Sequence, residues 1–95
     1  MIVDKIANEI RKYKNVELID IPEKGDIMEF RLYDYDNKGI KFENDIECIL
    51  SVIDQLIPTN YTFEHSYDDN EKYWNGEEMV DSNLYCTITV KKVGE

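Results

Sequence analysis

The chain has 95 residues, of which 42% are hydrophobic, and 21 acidic residues against 11 basic ones give it a net charge of −10. This length predicts a single domain over residues 1–95, and the hydrophobic content argues against a disordered chain. No apolar run reaches the ~18–20 residues of a membrane span and the N-terminus has no signal sequence, so we expect a cytoplasmic protein with no membrane partner.

The acidic residues are unevenly distributed along the chain. Residues 1–15 carry a net charge of +2, whereas residues 16–57 carry −7 and residues 58–83 carry −6. Direct binding of nucleic acid requires a basic footprint, which this balance does not provide. The charge therefore favours a basic protein as the partner, although an acidic surface can also serve solubility alone.

Hydrophobic periodicity predicts the elements of the first half of the chain. These are a helix, two longer strands and a short third strand, at residues 3–14, 16–21, 27–35 and 40–42, with turns at residues 22–25 and 36–39. In the second of these strands, Met28, Phe30 and Leu32 share one face. Tyr33 and Tyr35 lie on the opposite face of the same strand.

The second half is predicted to form a helix and two further strands. The helix begins near Asn44, which has capping-box spacing to Glu47, and Pro58 ends it. Two strands follow at residues 61–67 and 84–91, separated by a long loop without regular structure at residues 68–83. The predicted fold is α+β, with two helices packed on a largely antiparallel sheet of about five strands in the order α-β-β-β-α-β-β.

The sequence contains no recognisable catalytic machinery. Nucleophilic catalysis needs a base beside the nucleophile, and the only histidine is His65. His65 and Cys86 both occupy strand positions that we expect to face the core, where a satisfied core histidine is the commoner role. Cys48 and Cys86 are both predicted to be buried free thiols. We therefore expect a protein that is not an enzyme and that has no cofactor or metal.

Residues Asp34 to Gly39 match the opening of a calcium-binding EF-hand loop. The chain departs from that pattern because Lys38 stands where an oxygen ligand is required. In addition, Asp45 replaces the glutamate that ends such a loop. A hairpin turn between the strands at residues 27–35 and 40–42 is therefore the favoured interpretation.

Two segments that combine carboxylates with aromatic rings form the predicted binding surface. One is the turn after the second strand, and the other is the long loop. Carboxylates beside aromatic rings can engage arginines by paired hydrogen bonds and by stacking. The same composition also fits a solvated acidic face with one aromatic packed back onto the sheet. The candidate partner-binding residues are Asp34, Tyr35, Asp36, Asn37, Asp68, Asp69, Glu71, Tyr73, Trp74, Glu77 and Glu78.

The order of several short stretches resembles that of the small acidic anti-CRISPR proteins of phages, which inhibit the type II CRISPR effector nuclease. The matching stretches are residues 4–12, 35–39, 43–45, 67–71 and 87–89. The family has helix where this chain is predicted to have the strand at residues 61–67. The resemblance implies that the turn and the acidic segment imitate DNA in the groove with which the nuclease reads the PAM. The residues that it places at the interface are Asp36, Asn37, Asp68, Asp69 and Glu71.

We therefore expect a non-enzymatic inhibitor that occupies the basic groove of a nuclease or of another nucleic-acid-binding enzyme, as an anti-CRISPR that acts as a DNA mimic. An immunity protein that neutralises a bacterial nuclease toxin would also be small, acidic and non-catalytic, and it stays an alternative. A structural or assembly protein of a mobile element is a third interpretation, in which the acidity only confers solubility. The oligomeric state stays open.

Overall fold

A computed structural model of the chain describes residues 2–35, 37–69, 73–74, 76–77, 79–80 and 84–93. The elements in chain order are α1 (Ile2–Ile10), β1 (Glu17–Asp20), β2 (Glu23–Lys24), β3 (Ile27–Tyr33), α2 (Ile40–Leu56), β4 (Tyr61–Asp69), β5 (Tyr73–Trp74), β6 (Met79–Val80) and β7 (Leu84–Lys92). Five strands form one antiparallel sheet in the spatial order β1, β3, β7, β4, with β2 also paired to β3. The predicted α+β fold, two helices on a largely antiparallel sheet of about five strands, is confirmed.

The core lies between the two helices and one face of the sheet. In each helix the buried residues recur at intervals of three and four positions, which places them on one stripe. The buried side chains of the sheet alternate along β3 and β7. The principal core residues are Ile6, Ile10, Phe30, Leu32, Phe42, Ile46, Ile49, Ile53, Cys86, Ile88 and Val90. Burying one aliphatic or aromatic side chain completely contributes about 1.5–3 kcal/mol to the free energy of folding. The packing of the two helices on the sheet therefore stabilises the fold.

The start of α2 differs from the prediction. Residues 40–42 were predicted as a strand, but they form the first turn of the helix, which begins at Ile40 after the N-cap residue Gly39. Helical spacing puts Phe42 on the same buried stripe as Ile46, and this burial decides between two patterns that a three-residue stretch cannot distinguish. The predicted capping box at Asn44 is wrong as well, because that residue lies inside the helix.

The third strand of the first half is β2, in a segment predicted to be a turn. Glu23 lies opposite Met28 and Lys24 lies opposite Ile27, so β2 and β3 form a tight antiparallel hairpin. Gly25 joins them with φ at 62°, a backbone conformation that favours glycine. The predicted number of strands between the helices is therefore right, and the placement of one of them is wrong.

The segment at residues 68–83 has more regular structure than predicted. β4 continues through residues 68 and 69, which lie opposite residues 85 and 84 of β7. Beyond it, β5 and β6 form a separate antiparallel pair. The prediction of a loop without regular structure is wrong for these residues, because pairing with a long neighbouring strand extends a strand beyond its own apolar alternation.

Candidate functional site

The sheet has one face that is covered by helices and one face that is not. Side chains alternate between the two faces along a strand, and both helices pack on the face that carries Phe30, Leu32 and Ile88. The opposite face, called the open face below, carries neither of the described helices. The strand register assigns to it Glu17, Asp20, Lys24, Ile27, Glu29, Arg31, Tyr33, Thr62, Glu64, Ser66, Asp68, Tyr85, Thr87, Thr89 and Lys91.

Four residues of the open face form a continuous row across the sheet. Glu17 of β1 lies opposite Tyr33 of β3, which lies opposite Tyr85 of β7. Tyr85 in turn lies opposite Asp68 of β4. These four residues are called the tyrosine row below. The rings of Tyr33 and Tyr85 contact each other, with centroids 4.5 Å apart and planes inclined by 32°. Tyr35 adds a third ring, 6.5 Å from that of Tyr33 and nearly perpendicular to it at 78°.

The row connects two segments that the sequence singled out separately. Tyr35 belongs to the turn after β3, and Asp68 belongs to the acidic stretch at the end of β4. The strand register joins them through Tyr33 and Tyr85, so they lie at the same end of the sheet. Because neighbouring strands lie ~4.8 Å apart, a guanidinium stacked on these rings would be within reach of a carboxylate at either end of the row.

The open face carries more negative than positive charge. Its described carboxylates are Glu17, Asp20, Glu29, Glu64 and Asp68, and its described cations are Lys24, Arg31 and Lys91. Arg31 Nη1 lies 3.4 Å from Asp20 Oδ2, and Arg31 Nη2 lies 3.5 Å from Glu29 Oε2. Arg31 therefore offsets charge in the middle of the face, and the negative excess concentrates at the tyrosine row and along β4. These ion pairs are exposed and contribute little to stability.

Asp34 was predicted to bind a partner, but the structure places it in the interior. Its side chain is 0% exposed. The backbone N–H of Lys38 donates to Asp34 Oδ1 at 2.7 Å, and the N–H of Gly39 donates to Asp34 Oδ2 at 2.9 Å. The carboxylate thus holds the turn together at the positive end of α2. Asp34 belongs to the scaffold of the turn rather than to the binding surface.

The other predicted binding residues fall into three groups. Tyr35 is 69% exposed, and Asn37, Asp68 and Glu77 are exposed as well. Asn37 has φ at 52°, so the turn holds it in the left-handed region that asparagine tolerates. For a second group the structure gives strand positions only, namely Asp69, Tyr73 and Trp74. The remaining predicted residues lie outside the described residues; they are Asp36, Glu71 and Glu78.

Three members of the tyrosine row, Glu17, Tyr33 and Tyr85, were not among the predicted binding residues. Each lies in a correctly predicted strand, at a position that alternates with core residues. The signal that could have found them is the alternation, which puts Tyr85 on the face opposite to Cys86 and Glu17 on the face opposite to Leu18. Which residues then meet across the sheet depends on register, which single-strand patterns do not contain.

A cleft of about 410 Å³ borders the Glu17 end of the tyrosine row. It is lined by Arg11, Lys14, Asn15, Val16, Glu17, Leu18 and Tyr35. Arg11 and Lys14 follow α1 and belong to residues 1–15, which carry a net charge of +2. The acidic open face therefore ends at a positively charged border on this side, while its β4 side is acidic.

Cys86 is buried as predicted, whereas His65 and Cys48 are exposed and were predicted to lie in the core. His65 lies on the core side of β4 but is exposed, because β4 is at the edge of the sheet; its ring packs edge-on against Tyr67 at 5.7 Å. Cys86 is buried opposite Tyr67, and burial raises the pKa of its thiol to about 12, so the thiol is protonated at neutral pH. Cys48 was predicted to be buried, but it lies exposed on α2; both cysteines are free, as predicted.

Comparisons with models of protein families, with curated proteins and with solved structures gave no match for this chain. Within the described ranges, neither helix combines the length and the hydrophobicity needed to cross a bilayer. The described part of the chain also contains no group of three or more His, Cys, Asp or Glu residues arranged to hold a metal ion.

Proposed function

We propose that the protein is a non-enzymatic inhibitor that binds the basic nucleic-acid-binding groove of a nuclease through the open face of its sheet. The observation that carries this proposal is the tyrosine row, in which a contacting pair of tyrosine rings is bordered by a carboxylate on each side. The net charge of −10 supports the same conclusion, because it draws the protein towards a cationic surface and away from nucleic acid.

The chemistry of the row suits the residues that line such a groove. Nucleases hold phosphates with arginine and lysine, and arginine can both stack on a tyrosine ring and form two hydrogen bonds to a carboxylate. Tyr33 and Tyr85 supply the rings, while Glu17 and Asp68 supply carboxylates from strands that lie about 14 Å apart, three strand spacings of ~4.8 Å. The open face therefore offers stacking and charge to cations that otherwise bind nucleic acid.

The first candidate target is the type II CRISPR effector nuclease. The resemblance to anti-CRISPR proteins assigns the interface to the turn after β3 and to the acidic segment around Asp68. The row supports this assignment, since it joins Asp68 to Tyr35 of that turn through Tyr85 and Tyr33. In this proposal the protein competes with DNA for the groove that reads the PAM.

The test is a DNA-cleavage assay with the guide-loaded type II effector nuclease, combined with a binding titration. We expect the parent protein to inhibit cleavage and to compete with PAM-containing DNA. The double reversal Glu17→Lys/Asp68→Lys should abolish inhibition, because each change replaces an attraction by a repulsion. The matched control is Glu23→Lys/Asp54→Lys, which changes the net charge equally at two exposed positions outside the open face.

Two outcomes would contradict the proposal. If the two double reversals bind and inhibit equally well, net charge alone acts and the tyrosine row is not the interface. If the parent protein neither binds the effector nuclease nor protects DNA from it, the CRISPR nuclease is not the target. The assay is then repeated with toxin nucleases, which the immunity-protein alternative predicts as targets.

A further inference from the structure

The two edges of the five-stranded sheet differ in how they are protected. On one edge, β1 has four residues, is interrupted by a register shift between Leu18 and Asp20, and is followed by Pro22. The adjoining strand β2 has only two residues. Short strands, bulges and proline are the features by which natural sheets prevent another strand from adding to an edge.

The opposite edge has none of these features. β4 is a nine-residue strand, and every residue from Tyr61 to Asp69 pairs with β7 without a register shift. Its sequence contains no proline, glycine or lysine. Among the described residues, no strand pairs with its outer side. A long, regular edge of this kind presents alternate backbone N–H and C=O groups as a template for a further strand.

A groove lies beside this edge on the helical side of the sheet. It has a volume of about 690 Å³ between β4 and α2 and is lined by Ile40, Glu43, Asn44, Glu47, Cys48 and Tyr67. Ile40 is 67% exposed and Tyr67 is 38% exposed, so the groove presents apolar surface to solvent. Partial burial is the largest of the causes that raise the pKa of Tyr67 to about 12, and Cys86, Glu43 and Glu47 contribute in that order. The negative charges of the two glutamates thus influence the phenol of Tyr67, which lines the same groove.

The charges around the edge indicate what kind of strand fits it. On the groove side, Glu43 and Glu47 are the charged residues of the described lining. On the open face, Glu64 and Asp68 of β4 would lie directly beside an added strand. An incoming strand therefore meets carboxylates on both of its faces and apolar surface on one of them.

We propose that the outer edge of β4 accepts an extended basic segment of a partner protein as a sixth strand of the sheet. Main-chain hydrogen bonds to β4 supply affinity in this mode of recognition, and side chains at alternate positions supply specificity. Apolar residues of the segment cover Ile40 and Tyr67, while its lysines or arginines pair with Glu64 and Asp68. A second copy of this chain is a poor occupant, since two molecules of charge −10 repel each other.

This surface is distinct from the proposed inhibitory interface. It uses the backbone edge of β4, side chains of α2 and the open-face residues Glu64 and Asp68, whereas the tyrosine row crosses the open face; Asp68 belongs to both surfaces. The proposal requires no nuclease as the partner. Its experiment therefore avoids changes to Asp68, so that failure here and failure of the proposed function can be distinguished.

The probe is a synthetic nine-residue peptide, equal in length to β4. Lysine and valine alternate along it, and arginine replaces the central valine. We expect it to bind the protein in a fluorescence-anisotropy titration. Methylation of alternate backbone amides should weaken binding at least about tenfold, because it removes the hydrogen bonds of an added strand. If the methylated and unmodified peptides bind equally, the attraction is purely electrostatic and the proposal is wrong.

Variants of the protein test the same edge. Glu43→Lys/Glu47→Lys should weaken peptide binding about tenfold or more, whereas the equally charged control Glu23→Lys/Asp54→Lys should weaken it much less. Equal effects of the two pairs would contradict a role for the groove.

Adjacent proline substitutions locate the backbone contact. His65 and Ser66 are neighbours in β4, so one of their N–H groups points towards β7 and the other points outwards. Of His65→Pro and Ser66→Pro, the variant that keeps the parent melting temperature should lose peptide binding. If that variant still binds the peptide, the proposal is wrong. Sedimentation analysis gives a second test: a dimer that the peptide cannot dissociate would also overturn the proposal, because the edge would then pair with a second copy.

Discussion

Tyr33 and Tyr85 come from opposite halves of the chain, yet their rings contact each other across β3 and β7 with centroids 4.5 Å apart. They are direct cross-strand neighbours in the register, and such aromatic pairs stabilise a sheet beyond the area that they bury. The pair thus belongs both to the scaffold of the sheet and to the surface that we propose to bind the partner.

The first prediction concerns this pair. The single variants Tyr33→Ala and Tyr85→Ala and the double variant form a double-mutant cycle, measured as the free energy of unfolding in urea. We expect a coupling of about 0.5–1.5 kcal/mol, the range for contacting aromatic rings. Strictly additive effects would show that the rings do not stabilise each other.

The second prediction concerns the buried carboxylate of Asp34. Asp34→Ala leaves the N–H groups of Lys38 and Gly39 without their acceptor, and it should lower the free energy of unfolding by about 1–3 kcal/mol. The matched control is Asp54→Ala, an exposed acid for which a change within about 0.5 kcal/mol is expected. Equal effects of the two substitutions on chemical denaturation would refute the structural role of Asp34.

The third prediction concerns the buried stripe of α2. Ile49→Ala and Ile53→Ala should each lower the free energy of unfolding by about 2–5 kcal/mol, because each removes a core side chain. Ile40→Ala in the same helix provides the control, since Ile40 is 67% exposed and should cost far less. If Ile40→Ala lowers the melting temperature as much as Ile49→Ala and Ile53→Ala do, the assigned position of the buried stripe is wrong.

The fourth prediction concerns pH. Burial raises the pKa of the Cys86 thiol from 9.0 to about 12, so the folded state holds this proton more tightly than the unfolded state does. The resulting stabilisation is complete below about pH 9 and is lost as the pH rises towards 12. We expect the melting temperature to fall from pH 9 upwards. The fall should be shallower in Cys86→Ala and unchanged in Cys48→Ala, whose thiol is exposed; identical slopes in all three proteins would contradict this origin.

Much of the fold follows from local patterns in the sequence. Alternation predicts a strand with one buried face at Met28, Phe30 and Leu32, and helical spacing predicts a helix with one buried face at Ile46, Ile49 and Ile53. Both elements are observed. The alternation breaks down where a stretch is too short to show a period. Residues 40–42 satisfy a strand pattern and a helical pattern equally well, and only the burial of residue 42 against the sheet selects the helix.

The candidate site was less predictable, for two physical reasons. An aspartate in a turn reads as a surface residue, and the burial of Asp34 depends on a chain reversal that brings the N–H groups of residues 38 and 39 onto its carboxylate. Glu17 and Tyr85 join the site through strand register, which is set by the packing of the whole sheet. Tyr35 and Asp68 were identified from composition, but their common location was not.

The position of β7 has a consequence for the way in which the chain is made. β7 lies in the middle of the sheet, between β3 and β4, but it follows the other described strands in sequence. A nascent chain that lacks residues 84–92 cannot join β4 to the β1–β2–β3 unit, and the apolar face of β3 stays open on that side. Pairing between segments that are distant in sequence slows folding, and strands that have not yet paired are prone to aggregate. β7 therefore leaves the ribosome after both of the strands that it joins.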